Sequence, residues 1–217
     1  MPGMRTPFAV ALAVLTLAAG CGKEEPASSG RDGVELPGEA SALVEALASP
    51  NEAPQIYTIH LRYPEGYDRQ AQARVRAAEE KLRAMGPKAF PALIERLDDT
   101  GYSYTECYGT WRNLKVGEVC FYIIEDQVEF YGHDYATRPG ADGEEVLKPS
   151  YLYTFHTTQH LRNWWEERQD MTLRELQIEA LEWNIEKERE RGFTDDEQRE
   201  TVLAPLLRRL AELKSGR

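Results

Sequence analysis

The stretch "VRAAEEKLRAMGPKAFPALIERLDD", residues 75–99, carries two apolar stripes of helical spacing separated by Gly-Pro. The first stripe begins slightly upstream and consists of Ala71, Val75, Ala78, Leu82 and Met85, and the second consists of Phe90, Leu93, Ile94 and Leu97. A spacing of three and four residues places side chains on one face of an α-helix. Asp68 is a suitable N-cap, Gly86 ends the first helix, and Pro87 suits the first turn of the second. The sequence therefore predicts an antiparallel helical hairpin over residues 68–99.

The predicted hairpin resembles a HEAT repeat. Its first helix has an Ala and Leu face, Gly stands at the turn, "AFPALIERL" forms the second helix, and paired Asp ends it at residues 98 and 99. HEAT-like proteins are mostly binding scaffolds, so the resemblance implies binding without chemistry. Because one repeat cannot bury its own face, further helices must cover it. A helix predicted over residues 114–131 is the candidate for a second, degenerate unit, and its apolar stripe consists of Val116, Val119, Cys120, Ile123, Ile124 and Val128.

Shorter elements are predicted on both sides of these helices. "SALVEALAS", residues 41–49, favours a short helix, whereas "IYTIHLRY", residues 56–63, alternates as a strand does. The segment between Gly132 and Phe155 lacks helical spacing, and Asp142-Gly143 within it favours the turn of a small hairpin.

Three helices are predicted at the end of the chain. The first holds Trp164 and Trp165, and the others begin with capping boxes at Thr172–Glu175 and Thr194–Glu197. We therefore expect residues 41–217 to form a single domain. Its fold class is mainly α, with HEAT-like helical hairpins, an irregular central segment and a C-terminal helical bundle.

The start of the chain has the pattern of an export signal. From Phe8 to Ala19 the sequence is apolar except for one Thr, and this run is shorter than the roughly 20 residues that span a bilayer. Ala18-Ala19-Gly20-Cys21 resembles the lipobox of bacterial lipoproteins, in which the signal is cleaved before the Cys and the Cys is acylated. The resemblance implies a lipoprotein signal peptide over residues 1–20 and lipid attachment at Cys21. An ordinary cleaved signal with an incidental Cys is the alternative.

Residues 21–40 are rich in Gly, Pro, Ser and charge, and they predict a disordered tether with the lipid anchor at its start. As a whole, the chain resembles helical bacterial lipoproteins of uncharacterised function. Gly22 is not the Asp that commonly signals retention at the inner membrane of Gram-negative bacteria. The resemblance therefore implies an exported protein held at a membrane by its anchor, on the periplasmic face of the outer membrane if the organism is Gram-negative.

The charge balance excludes one class of partner. The chain has 26 basic and 37 acidic residues, a net charge of −11, and no block of Lys or Arg that could follow a phosphate backbone. Cleavage before Cys21 removes one basic residue, Arg5, and no acid, which leaves −12. Nucleic acid is therefore not an expected partner, and an acidic surface does not attach by itself to anionic lipid headgroups.

The tyrosines indicate a contact surface for a protein partner. All eleven lie between residues 57 and 153, and Tyr is enriched at interfaces because it joins apolar area to a polar tip. The candidate binding residues are Tyr131, Tyr135, Arg138, Tyr151, Tyr153, Trp164 and Trp165. The alternative is that these side chains bridge the core and the solvent.

Cys107 and Cys120 are the thiols that remain after Cys21. In an oxidising compartment a pair of Cys tends to persist as a disulfide, so a bridge between them is one expectation. The alternative places Cys120 in the core as a small apolar residue with Cys107 free.

Enzyme signatures such as GxSxG, CxxC, GxGxxG and GxxxxGK do not occur in the sequence. We therefore assign no catalytic residue, metal or cofactor. His156 and His160 have the spacing of two metal ligands on a helix, but capping and solvated histidines explain them as well. The main hypothesis is a lipid-anchored scaffold of the cell envelope that binds a protein or peptide. The alternatives are an envelope hydrolase that uses His and carboxylate groups of residues 131–160, and a purely structural lipoprotein.

Overall fold

The structure, a computed structural model, describes residues 37–57, 60–129, 137–155 and 157–216. The predicted signal peptide, Cys21 and the tether as far as residue 36 lie outside these ranges. Within them, no helix has both the length and the apolar character needed to cross a bilayer.

Helices predominate over strands in the described residues, which confirms the mainly α class. The helices are α1 (Pro37–Glu45), α2 (Arg69–Met85), α3 (Phe90–Ile94), α4 (Val116–Val128), α5 (Thr158–Glu166), α6 (Leu173–Arg191) and α7 (Asp196–Ser215). The strands are β1 (Gln55–Tyr57), β2 (His60–Arg62), β3 (Tyr102–Tyr108), β4 (Thr110–Lys115), β5 (Thr137–Pro139) and β6 (Glu145–Leu147). They pair consecutively as three separate antiparallel hairpins.

The first half of the predicted helical hairpin is confirmed. The Asp68 side chain accepts hydrogen bonds from the backbone N–H groups of Gln70 and Ala71, and α2 ends at Gly86, where φ is +65°. The second helix is shorter than predicted. A 3-10 turn over Gly86–Ala89 precedes α3, and α3 ends at Ile94. Beyond Ile94 the backbone forms hydrogen bonds between residues three apart, such as that from Arg96 N–H to the Leu93 carbonyl. α3 packs against α1, α4 and α5.

The hairpin β3–β4 was not predicted. Its turn is at Gly109, where φ is +76°, and it buries Tyr104 opposite Leu114. α4 follows directly, and all six residues of its predicted stripe are buried. The single strand predicted over residues 56–63 is also corrected, because β1 and β2 pair with each other within that stretch. The Asp142-Gly143 turn is confirmed, since it lies between β5 and β6.

The predicted start of α6 is confirmed, whereas the starts of α7 and α1 differ from the prediction. Thr172 caps α6 through the predicted box with Glu175, but α7 is capped by Asp195 rather than Thr194, because the Asp195 carboxylate accepts from Gln198 N–H at 2.8 Å. α1 begins at Pro37, inside the predicted tether, with Glu39 in its first turn. One apolar core extends from α1 to α7 and includes the fully buried Trp164.

Candidate binding groove

An open groove of about 710 Å³ lies between the first turns of α4 and the chain that leads into α5. We call it the aromatic groove. Its lining comprises Leu97, Asp98, Gly117, Glu118, Phe121, Tyr122, Tyr153, Phe155, Thr157, Thr158, Gln159 and Leu161. The residues come from three separated parts of the sequence, which the helix packing brings together.

Aromatic side chains form most of the apolar lining. The rings of Phe121 and Tyr153 meet edge to face with centroids 5.0 Å apart, and Phe121 and Tyr122 do so at 6.1 Å. Tyr153 is 55% exposed, whereas Phe121, Tyr122 and Phe155 are half-buried. Edge-to-face packing fixes the rings in place, so the groove offers preformed aromatic surface to a ligand.

Charge in the lining is entirely negative. Asp98 and Glu118 are its only ionisable residues besides Tyr, and no Lys or Arg is among the lining residues that the structure describes. The Glu118 carboxylate accepts a hydrogen bond from Lys115 N–H at 2.8 Å and so helps to cap α4, whereas Asp98 is exposed. The groove therefore favours cations over anions.

Three arginines close to the lining residues are already paired with acids. Arg112 lies 5.1 Å from the centre of the Tyr122 ring, donates to the Tyr122 hydroxyl at 3.2 Å and forms an ion pair with Glu106 at 2.7 Å. Arg96 pairs with Asp99 at 2.7 Å, and Arg162 pairs with Glu95 at 3.1 Å. These pairs leave the Asp98 carboxylate without an ion-pair partner among the described residues.

The wall opposite α4 is the start of α5. The Thr157 hydroxyl accepts from His160 N–H at 3.1 Å and so caps α5. Thr158 and Gln159 continue this wall with polar side chains. The groove thus has an aromatic side and a polar side, as ligand-binding pockets commonly do.

Tyr151 and Trp164 are not part of a surface, which corrects their prediction as binding residues. Both are buried, and the Trp164 indole N–H donates to the Tyr151 hydroxyl at 2.9 Å. That hydroxyl donates to Glu179 Oε1 at 2.5 Å, and Arg168 Nη2 donates to the same oxygen at 2.8 Å. Burial raises the pKa of Tyr151. Burial also opposes ionisation of Glu179, but the hydrogen bonds from Arg168 and Tyr151 prevail and lower its pKa. The network satisfies polar tips inside the core.

Arg138 is corrected for a similar reason. It is buried on β5, where its Nη2 lies 2.5 Å from Glu188 Oε2 on α6. Its other donors bond the carbonyls of Pro139 and Gly192 at 2.8 Å each. Every described contact of this guanidinium is therefore internal.

The remaining candidates differ in position. Tyr153 lines the aromatic groove, and Trp165 is half-buried with its ring 5.3 Å from Phe90. Tyr131 and Tyr135 lie outside the described residues. Phe121, Tyr122 and Phe155 were missed by sequence reasoning. Phe121 and Tyr122 directly follow the buried Cys120 on α4. Two aromatic residues beside the apolar stripe of this helix were the sequence feature that could have indicated them.

Cys107 and Cys120 are both free, which corrects the candidate disulfide. Cys120 points into the core from α4, whereas Cys107 is exposed near the end of β3. Burial raises the pKa of the Cys120 thiol to about 12. Cys120 therefore acts as a small apolar residue of the α4 stripe.

The described residues do not assemble the groups expected of the hydrolase alternative. His160 is exposed, and His133 and His156 lie outside the described ranges. Among described residues, no group of three His, Cys, Asp or Glu is placed to hold a metal ion.

Glu125, next to the groove on α4, is expected to make the stability of the fold depend on pH. Burial, followed by the negative charges of Glu129 and Asp126, raises its pKa to about 7, although Lys148 opposes the shift. Because the folded state holds this proton more tightly than the unfolded state, the contribution is complete below about pH 4.5 and is lost as pH rises to about 7. We expect Glu125→Gln to unfold at higher urea concentration than the wild type at pH 8 and at the same concentration at pH 4.5.

The measurement is urea unfolding followed by circular dichroism at several pH values between 4.5 and 8. Glu200→Gln, an exposed change on α7, is the matched control and should follow the wild type throughout. A difference between Glu125→Gln and the wild type that does not vary with pH would contradict the raised pKa.

No family model, curated protein or solved structure matches this chain.

Proposed function

We propose that this chain is an exported, lipid-anchored protein of the bacterial cell envelope that binds a protein or peptide partner through the aromatic groove. The observation that carries the binding role is the groove itself, in which preformed aromatic rings and polar groups face the solvent together. Exposed apolar patches with a polar rim are typical of interaction sites, and aromatic residues are enriched at interfaces.

The location is proposed from the sequence alone. Acylation of Cys21 would hold the folded part at a membrane through a short polar segment, on the periplasmic face of the outer membrane in a Gram-negative cell. The resemblance of residues 68–99 to a HEAT repeat supports a scaffold rather than an enzyme. In that scaffold α2 supplies the first helix, and the short α3 packs against α5, which forms one wall of the groove.

Cys21→Ser is expected to release the protein from the membrane. A thioether to lipid requires the Cys sulfur, and two or more acyl chains are needed for stable attachment. The measurement is membrane fractionation together with the intact mass of both forms expressed in a bacterial host. Cys107→Ser is the matched control, because it removes an exposed thiol elsewhere and should leave fractionation unchanged. A wild-type chain that is soluble and unmodified would overturn the lipoprotein proposal.

A further inference from the structure

The aromatic groove has features that select the chemistry of its ligand. Its lining contains two carboxylates and no basic side chain among the described residues, and the nearby Arg96, Arg112 and Arg162 are paired with acids. The whole chain has a net charge of −11. An anionic segment would therefore meet repulsion from the rim and from the protein as a whole, whereas a cationic one would be attracted.

Arg112 is an example of a guanidinium that packs on an aromatic ring of the groove. It lies over Tyr122, 5.1 Å from the ring centre, and forms an ion pair with Glu106. Tyr153 and Phe121 present a comparable aromatic surface a short distance away, and the Asp98 carboxylate lies on the same lining. A cation held between an aromatic face and a carboxylate gains from both.

We propose that the aromatic groove binds an extended cationic segment of a partner protein, with an Arg or Lys side chain between the Tyr153 ring and the Asp98 carboxylate and apolar neighbours against Phe121 and Phe155. This inference rests on the proposed binding function and adds the chemical class of the partner. On the polar wall, the Thr158 hydroxyl can bond the backbone of such a segment, whereas the Gln159 amide is already bonded to Asn163 and Arg162. The partner is thus distinguished from an acidic or purely apolar peptide.

The test is selection of binding peptides from a random 12-residue phage library on the full chain, with counter-selection on its Tyr153→Ala variant. We expect the retained sequences to contain Arg or Lys next to apolar residues. A retained peptide made synthetically should lose at least fivefold in affinity, measured by fluorescence anisotropy at 150 mM salt, when its Arg is replaced by citrulline. Citrulline keeps the shape of Arg without its charge, so the loss reports the cation.

Substitutions inside and outside the aromatic groove test whether the peptide binds there. Tyr153→Ala and Asp98→Asn should each weaken the peptide at least fivefold. Tyr57→Ala removes a Tyr of nearly equal exposure, 54% against 55%, outside the groove, and Asp170→Asn removes an exposed acid elsewhere. Both controls should bind as the wild type does.

Two results would overturn the inference in different ways. If retained peptides lack basic residues but still depend on Tyr153, the groove binds peptides of another class, and the proposed function survives while the cationic partner does not. If no peptide depends on Tyr153, both the cationic partner and the binding role of the groove are wrong.

Discussion

Arg138→Met is expected to lower the free energy of unfolding by about 3 to 5 kcal/mol, because it takes the Arg138 guanidinium away from the buried Glu188 carboxylate. Glu188 is completely buried, and Arg138 supplies it with two donors at 2.5 and 3.0 Å. The same guanidinium bonds the Gly192 carbonyl at the end of α6 and lies 4.8 Å from the Phe193 ring centre. Its removal therefore takes away the buried ionic link between the β5–β6 hairpin and α6, and leaves the bonds from Ala141 N–H to the Arg191 carbonyl and from the Arg191 guanidinium to the Leu147 carbonyl.

A second substitution separates two quantities: the cost of leaving Glu188 without the Arg138 guanidinium, and the net contribution of the pair to the free energy of unfolding. Replacing a buried ion pair by apolar residues of similar size is often nearly neutral, so Arg138→Met combined with Glu188→Leu should recover most of the lost stability. Urea unfolding of the two single variants and the double variant forms the cycle that measures this coupling. Lys187→Met is the control. Its pair with Glu190 is partly exposed and should contribute less than about 1 kcal/mol. A loss below 1 kcal/mol for Arg138→Met would contradict the buried pair.

Apolar periodicity and capping residues were sufficient to predict that the helices exist, but not which charged residues pair between the elements. The stripe of α4 and the caps at Asp68 and Thr172 depend on residues close in sequence, and the structure confirms them. Arg138 and Glu188 are 50 residues apart, so no local pattern relates them. Arg138 lies among the tyrosines of the irregular segment, and that position alone places it in the predicted contact surface.

The same limit explains the tyrosines and the groove. From the sequence Tyr151 was expected at an interface. In the structure its hydroxyl donates to Glu179 and accepts from the Trp164 indole inside the core. Among the candidates that lie within the described ranges, Tyr153 alone lines the groove. The groove itself joins residues near positions 97, 121 and 155, which come together through tertiary packing. The β3–β4 hairpin was missed because an irregularity in register between Tyr102 and Tyr104 leaves two consecutive residues, polar Ser103 and Tyr104, both buried, so the alternation of a regular strand is broken.

Gly117→Ala is expected to lower the free energy of unfolding by about 3 kcal/mol or more. A Cβ at this position would lie 2.0 Å from the Leu97 carbonyl oxygen and 2.7 Å from its carbon, far inside contact distance. These are backbone atoms, so no side-chain rotation can relieve the overlap. The Gly117 N–H also donates to the Asp99 carbonyl at 3.0 Å, which requires the same close approach.

Gly38→Ala provides the matched control for this clash. Gly38 lies in the first turn of α1, and a Cβ there would have no atom within 4 Å. Because Ala favours a helix over Gly by up to about 1 kcal/mol, this variant should equal or exceed the wild type in stability. Urea unfolding compares the three proteins. Equal midpoints for Gly117→Ala and the wild type would show that the backbone at residues 97–99 can move away from α4. Since Leu97, Asp98 and Gly117 all line the aromatic groove, the close approach that excludes a side chain at position 117 also holds this edge of the groove in place.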